Sequence, residues 1–220
     1  MRSCLIRHDV DRKPGNALKM AEIEAREGIK STYYFRVKRG VFKPKIIRKI
    51  AALDHEIGYH YEVMDKGKGD IGLAQYHFEK DLKKLRQYAD VKTCAMHGNP
   101  LTKWDNKAFW EHFNLSHFRL TGEAYLGFKD DTVHYTTDTG RGWNKAKHNI
   151  KDKAVGSMEN MPPMENTNYL MSAIKRQEFA DMYLQIHPER WAYSYTDWVI
   201  QWGKDKAINF IKGIIARRRK

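Results

Sequence analysis

The alternation of short β-type segments with amphipathic helical segments constrains the fold of this chain more than any other feature of its sequence. Segments typical of strands lie at residues 3–8, 31–36, 56–62, 93–97 and 182–187, and two more short strands are predicted within residues 120–138. Helices are predicted over residues 14–27, 44–53, 107–113 and 170–180, with a long helix after Gly69 and a last helix from about residue 195. In a chain of 220 residues, these repeated units predict one domain on a mostly parallel sheet, either open or closed into a barrel.

Composition limits the classes of partner. The chain has 40 Lys and Arg against 27 Asp and Glu, a net charge of +13. Such a balance attracts nucleic acid or anionic surfaces, but the charge is spread along the chain apart from residues 217–220, as on an ordinary solvated surface. No recognised nucleic-acid-binding motif is present, so no nucleic-acid partner is expected. No apolar run reaches the roughly 18 residues of a membrane span, and no signal peptide precedes the first strand, so we expect a cytoplasmic protein.

Acidic side chains end the first predicted strand. In parallel α/β folds, chemistry gathers at the carboxyl ends of the strands. Asp9 and Asp11 share a face there, because residues two apart on a strand point the same way. Two neighbouring carboxylates repel, and a divalent metal ion between them removes that cost. The alternative is that both are solvated loop acids.

Three further strands end in histidine, namely His60, His97 and His187. His55 lies five residues before His60, so the two share no face of a helix or of a strand, and a helical zinc-protease motif is excluded. His55 is therefore predicted to be structural, whereas His60 and Glu62 share a strand face. Together with the two aspartates, the three histidines predict a metal or acid–base site at the carboxyl edge of the sheet.

These segments resemble, in family order, the motifs of the polysaccharide deacetylase superfamily (NodB homology, carbohydrate esterase family 4). More narrowly, they are similar to its branch whose first motif reads Arg-His-Asp-Val-Asp. The matching segments are residues 7–11, 56–60, 96–100, 138–141 with Trp143, and 186–188. The resemblance implies a distorted (β/α) barrel with fewer strands than a regular eight-stranded one. It also implies a hydrolase that uses a divalent metal, usually zinc, to remove acetyl groups from N-acetylated sugars of a surface polysaccharide or its precursor.

The resemblance also assigns roles. Asp9 matches the general base, Asp11 and His60 match metal ligands, and His187 matches the general acid. Further residues are expected to orient or tune these groups or to contact the sugar. Asp138 and Arg141 are expected to tune the catalytic groups, and the substrate-contacting residues are expected to be Glu62, Asn99, Trp143 and Trp191.

The chain departs from the family pattern at the second motif, where Met64 stands in place of another histidine. Methionine is a poor ligand for a hard or borderline ion. Either Glu62 or His97 completes the ligand set, and His97 is preferred because imidazole then replaces imidazole. If neither reaches the metal, the protein is a catalytically silent carbohydrate-binding relative.

Residues 195–220 are predicted to form a basic amphipathic helix at the end of the domain. Ile208, Ile211 and Ile215 form an apolar stripe, and Lys212 with residues 217–220 supplies positive charge. The preferred interpretation is a helix whose stripe packs on the barrel. The alternative is peripheral contact with an anionic membrane through this helix.

Overall fold

The computed structural model describes residues 3–99, 102–127, 133–139, 142–143, 164 and 166–218, with side chains described as far as residue 207. Strands and helices alternate along the chain. The strands are β1 (Ser3–Val10), β2 (Thr32–Phe35), β3 (Glu56–Tyr61), β4 (Thr93–Met96), β5 (Gly122–Glu123), β6 (Val133–Thr137) and β7 (Asp181–Ile186). The helices are α1 (Pro14–Arg26), α2 (Pro44–Ala52), α3 (Val63–Lys66), α4 (Ile71–Arg86), α5 (Thr167–Lys175) and α6 (Tyr195–Arg218). Three 3-10 turns cover Asn106–Glu111, Leu115–Phe118 and Pro188–Arg190.

The seven strands form one parallel sheet in the order β5-β4-β3-β2-β1-β7-β6. The sheet curls, so that the ring of Tyr125, just after one edge strand, lies 6.5 Å from the ring of Tyr135 on the other edge strand. Within the described residues, β5 and β6 share no ladder, and the curled sheet is an incomplete barrel. The predicted single α/β domain with a parallel sheet is confirmed, and a closed barrel is not seen within the described residues.

The strand period of two separates two kinds of surface on β1. His8 and Val10 face the helices outside the sheet, where His8 Nε2 lies 2.7 Å from Glu24 Oε1 on α1. Arg7 and Asp9 face the barrel interior and are buried there. Because β1 lies between β2 and β7 at the middle of the sheet, this inward face is where polar residues of several strands can meet.

Gly58 keeps the interior wide enough for a tyrosine. It pairs in register with Tyr34 across β2 and β3, and a Cβ added to Gly58 would lie 2.3 Å from the Tyr34 ring. The ring therefore fills the space that a side chain at this position would take. The Tyr34 hydroxyl lies 3.1 Å from Thr93 Oγ1, which ties the floor of the interior to β4.

Two boundaries differ from the sequence-based prediction in ways that matter for the site. Strand β1 continues to Val10, two residues further than predicted, so Asp9 is a strand residue and Asp11 is the first residue beyond the strand. Helix α3 begins directly after Glu62 and buries Met64. No helix within the described part of the chain is both long enough and apolar enough to cross a membrane.

Candidate metal and catalytic site

Two histidine side chains, from the ends of β3 and β4, converge on one carboxylate oxygen beyond the end of β1. Asp11 Oδ1 lies 3.3 Å from His60 Nε2 and 3.0 Å from His97 Nδ1. One ligand atom from each residue lies within 4.8 Å of the other two. We call Asp11, His60 and His97 the metal corner. The parallel order of β1, β2, β3 and β4 brings these strand ends to the same edge of the sheet.

The orientation of His60 is fixed by the neighbouring strand. Its Nδ1–H donates to the carbonyl oxygen of Ala95 over 2.9 Å, which leaves the Nε2 lone pair directed at Asp11. The His97 ring stands edge-on to the His60 ring, with centroids 5.2 Å apart. One carboxylate oxygen with two imidazole nitrogens is a donor set that suits zinc and similar divalent ions. The residues present therefore fit such an ion and leave further coordination positions for water or substrate.

Glu62, the other candidate for the third ligand, is already engaged. It forms an ion pair with Arg36 and lies 4.0 Å from Lys66 Nζ. Burial raises the pKa of Glu62, but the charge and hydrogen bond of Arg36 together with the charges of His97 and Lys66 outweigh burial, and the net pKa is lowered. Of the two alternatives left open by the sequence, the geometry favours His97.

Met64 contributes structure at the position where the family motif has a histidine. Its side chain is buried in the main core, and its backbone N–H donates to Asn106 Oδ1 over 2.9 Å. Asn106 Nδ2 in turn donates to the carbonyl oxygen of His97 over 2.9 Å. The residue that replaces the histidine thus belongs to the packing beneath the metal corner.

Asp9 lies beside the metal corner with one oxygen held and the other free. Its Oδ2 accepts hydrogen bonds from Arg7 Nη2 over 3.0 Å and from Gln185 Nε2 over 2.6 Å. Its Oδ1 is buried and has no hydrogen-bond partner within the described structure. Burial raises the pKa of Asp9, but the charges of Arg7, His60 and His187 outweigh burial and the net pKa is lowered. Asp9 is therefore an ionised carboxylate with one available oxygen.

Arg7 is the support of Asp9 that sequence reasoning missed. Its side chain is 1% exposed, its Cζ lies 4.0 Å from the centroid of the Tyr125 ring, and its Nη1 donates to the Tyr183 hydroxyl over 3.0 Å. Removing one partner of such a buried ion pair typically costs about 3–5 kcal/mol. The strand period offered a signal, because Arg7 lies two residues before Asp9 and Gln185 lies two residues before His187.

A second cluster lies at the ends of β6 and β7. His187 Nδ1 lies 2.6 Å from Asp138 Oδ1, and the same carboxylate accepts from Arg190 Nη1 over 3.0 Å and from Trp191 Nε1 over 3.1 Å. We call Asp138, His187, Arg190 and Trp191 the acid corner. Burial and Arg190 lower the pKa of His187, but the charge and hydrogen bond of Asp138 together with the charge of Glu189 outweigh them, and the net pKa is raised. The imidazole of His187 therefore keeps its proton to a higher pH than an ordinary histidine.

Glu189 was also absent from the sequence-based prediction. It is fully buried in the turn after β7, and its Oε1 accepts from Arg12 Nη2 over 3.3 Å. Its Oε2 has no hydrogen-bond partner within the described structure. Burial and the nearby charge of Asp11 both raise the pKa of Glu189.

The remaining predicted residues lie in different surroundings. Trp143 is 4% exposed, packs with Leu170 and Met182 in a second apolar cluster, and donates its indole N–H to Thr167 Oγ1 over 3.2 Å. This packing gives no support to a sugar contact by Trp143. Asn99 is partly buried beyond β4. Arg141 lies outside the described residues, as do most of residues 139–166.

Comparison with known proteins adds evidence on the fold. No protein-family model matches the chain, and no curated protein matches it in sequence. A CE4 family pseudoenzyme from Bacillus anthracis aligns with a TM-score of 0.52 at 14% identity over 94% of this chain and 61% of its own. A mutant of that pseudoenzyme with restored enzymatic activity aligns with a TM-score of 0.52 at 13% identity, over 94% of this chain and 63% of its own.

The Xyl-CE4 domain of a multidomain xylanase from the hindgut metagenome of Trinervitermes trinervoides aligns at 12% identity over 98% of this chain and 84% of its own, with a TM-score of 0.49. This chain spans less than two thirds of the length of the two pseudoenzyme structures. The alignments with the two pseudoenzyme structures show that this protein shares their fold, which here is an incomplete barrel of parallel strands.

Proposed function

We propose that this protein is a metal-dependent hydrolase that removes an acetyl group from an N-acetylated sugar of a surface polysaccharide or its precursor. The observation that carries the proposal is the position of Asp9. One of its oxygens is held by Arg7 and Gln185, and the other is free beside the metal corner. The fold shared with CE4 family structures supports the same class of chemistry by analogy.

Hydrolysis of an N-acetyl group needs an activated water, stabilisation of the developing oxyanion and a proton for the departing amine. A divalent ion, which we propose to be zinc, held by Asp11, His60 and His97 would act as a Lewis acid toward the acyl carbonyl and toward water. Asp9, kept ionised by Arg7, accepts the proton of the attacking water at Oδ1. Protonated His187 donates a proton to the leaving nitrogen.

Asp138 serves this reaction by orienting and charging His187. It binds the Nδ1 side of the ring, which leaves Nε2 as the atom that faces a leaving group. Trp191 and Arg190 fix the carboxylate in turn, and we assign Trp191, Glu62 and Asn99 to the walls of the sugar site. Arg141 keeps its proposed tuning role on the family resemblance alone.

A second candidate function is that of a catalytically silent carbohydrate-binding relative. Met64 in place of the expected histidine favours it, and so does the fold that the chain shares with a CE4 family pseudoenzyme. Both candidates bind sugar, so sugar binding does not distinguish them. They differ in whether acetate is released.

The decisive experiment measures acetate released from N-acetylated oligosaccharides by the zinc-reconstituted protein, its Asp9→Asn variant and an Asp181→Asn control on the far end of the barrel. We expect Asp9→Asn to lower turnover about 10²–10⁴-fold with bound metal retained, because the general base alone is lost. The control should keep its activity. Sugar binding by the wild type without acetate release from any substrate would establish the silent relative instead.

We propose a cytoplasmic location with the C-terminal helix in contact with a membrane surface. The exposed aromatic side chains of α6 support that contact. A cytoplasmic enzyme of this kind would act on a precursor that carries its N-acetylated sugar on a nucleotide or a lipid. Fractionation of cells into soluble and membrane pools, before and after a salt wash, tests this location.

A further inference from the structure

Helix α6 is held on the domain by one face, which determines the face that it turns outward. Gln201 and Asp205 are buried against the body, and Asp205 Oδ1 lies 3.3 Å from Arg12 Nη2. Asp197, one turn closer to the start of the helix, forms an ion pair with Lys13. Both acidic residues of the described part of α6 are thus neutralised by cations that precede α1.

The outward side carries large aromatic rings. Tyr195 is 79% exposed, and Trp198 and Trp202 are each 43% exposed. The rings lie nearly parallel, with centroids 6.1 Å apart for Tyr195 and Trp198 and 6.2 Å apart for Trp198 and Trp202. Their spacing of three and four residues places them in one stripe along the helix. We call Tyr195, Trp198 and Trp202 the aromatic stripe.

The aromatic stripe differs from the apolar stripe expected from the sequence. That stripe was predicted at Ile208, Ile211 and Ile215, whose side chains lie outside the described part of the structure. The aromatic stripe precedes these isoleucines, in the part of α6 whose contacts with the rest of the domain are described above. Val199 is also exposed beside the stripe. An exposed apolar surface of this kind marks an interaction site.

The charge around the aromatic stripe identifies the partner. Lys204 and Lys206 are exposed on the same helix, and Lys206 Nζ lies 5.4 Å from the centroid of the Trp202 ring. The sequence of α6 then continues with Lys212, Arg217 and Arg218 and adds no acidic residue after Asp205. Tryptophan and tyrosine favour the interface between headgroups and acyl chains, and flanking lysines favour anionic headgroups. A second copy of this chain would present the same positive charges and be repelled.

We infer that the aromatic stripe of α6 docks the protein on the surface of an anionic lipid bilayer. The helix lies along the surface with its rings at the headgroup level, and its buried face stays on the domain. Binding combines burial of the rings with attraction between the lysines and anionic lipids.

The docked helix is also coupled to the candidate site. Arg12 Nη2 lies 3.3 Å from Glu189 Oε1 as well as 3.3 Å from Asp205 Oδ1, and Arg12 directly follows Asp11. Docking through α6 therefore fixes the position of the metal and acid corners relative to the bilayer. The consequence for the substrate rests on the proposed function: the N-acetylated sugar would be carried on a lipid embedded in the same bilayer.

Flotation with vesicles tests the docking without any assay of hydrolysis. The full chain is mixed with vesicles of phosphatidylcholine alone or of equimolar phosphatidylcholine and phosphatidylglycerol. We expect binding to the anionic vesicles that weakens as salt is raised. The double variant Trp198→Ala/Trp202→Ala should bind at least about tenfold more weakly, since burial of one large apolar side chain is typically worth about that factor. Lys204→Glu/Lys206→Glu should lose the preference for anionic lipid.

Leu73→Ala/Tyr76→Ala provides the matched control, because both residues are exposed on α4, with relative exposures of 53% and 56%. This control should bind vesicles like the wild type. Failure of the wild type to float with anionic vesicles, or equal flotation of the tryptophan variant, overturns the inference. A concentration-dependent dimer that the tryptophan variant abolishes, without vesicle binding, would assign the stripe to a second copy.

Activity separates this inference from the proposed function. The tryptophan variant should deacetylate a soluble N-acetylated oligosaccharide as fast as the wild type and lose activity only on a lipid-linked substrate in vesicles. Vesicle binding with no deacetylation of either substrate would contradict the proposed function and leave the docking intact. Deacetylation of the soluble substrate with no vesicle binding would overturn the docking and leave the proposed function intact.

Discussion

The metal corner and the acid corner each pair an aspartate with histidine, but the two aspartates are used differently. In the acid corner, Asp138 accepts hydrogen bonds from His187, Arg190 and Trp191, so the protein itself occupies the carboxylate. In the metal corner, Asp11 Oδ1 faces two imidazole nitrogens and the more distant Arg36, whose Nη1 lies 3.6 Å away. The first carboxylate is occupied by fixed donors, and the second lies beside two imidazole nitrogens that can themselves be ligands.

This difference shows how one edge of the sheet can support both metal binding and proton transfer. A carboxylate surrounded by fixed donors cannot take up an ion, but it can hold a proton on a neighbouring imidazole. A carboxylate beside imidazole lone pairs can share an ion with them. Asp9 lies under the influence of both corners, since the charges of His60 and His187 both lower its pKa.

The largest expected effect follows from removing a ligand of the metal corner. His60→Ala leaves only Asp11 and His97, so bound zinc should fall to background. Turnover should fall by more than the roughly 10–100-fold that loss of an outer partner of a ligand costs. Metal content by mass spectrometry and a chelator-competition titration measure the effect.

His55→Ala is the matched control for that loss. His55 is also buried, but its ring bonds to Ser31 and to the carbonyl oxygen of Ala21 on the outer side of the sheet. This variant should lose about 1–3 kcal/mol of unfolding free energy and keep its zinc. Zinc retained at wild-type affinity in His60→Ala would show that the metal corner is not a metal site.

A smaller effect, visible mainly in a pH profile, is expected from the acid corner. Asp138 raises the pKa of His187, so His187 keeps its proton to a higher pH than an ordinary imidazole at about 6.5. Asp138→Asn removes that charge and should move the alkaline limb of kcat/KM to lower pH, with zinc content unchanged. An alkaline limb that does not move would exclude His187 as the acid held by Asp138.

The smallest effect is expected from Glu62→Gln. This variant tests whether Glu62 is a zinc ligand or only lies beside the ligands. Glu62 holds Arg36, so Glu62→Gln should free Arg36 to compete for Asp11. Zinc stoichiometry should stay at the wild-type value while affinity falls by about tenfold, as for other partners outside the ligand set. Complete loss of zinc would instead make Glu62 a ligand and move His97 out of the set.

Much of the fold could be predicted from the sequence because its elements have clear local patterns. Pro14 and Pro44 mark helix starts, β-branched and aromatic runs mark strands, and the alternation of the two requires a parallel sheet. The curling of the sheet into an incomplete barrel is different, because it depends on contacts such as that between Tyr125 and Tyr135, far from local patterns.

The candidate site divides in the same way. The aspartates and histidines could be chosen from the sequence, since all of them lie at the ends of predicted strands and the period of two places Asp9 and Asp11 on one face. The supports of Asp9 could not be assigned, because Gln185 is 176 residues away in sequence and approaches only through the pairing of β1 with β7. The engagement of Glu62 by Arg36 and the burial of Trp143 likewise depend on neighbours that no local pattern names.

The sequence by itself determined the order of strands and helices and the residue types available at the carboxyl edge of the sheet. Both are properties of short segments, governed by backbone propensity and strand period. Only the tertiary structure decided which carboxylate is occupied and which is available, and that an aromatic stripe of α6 faces outward. Those outcomes depend on which atoms from distant segments lie within hydrogen-bonding distance of one another. The folded arrangement of strands and helices determines which atoms these are.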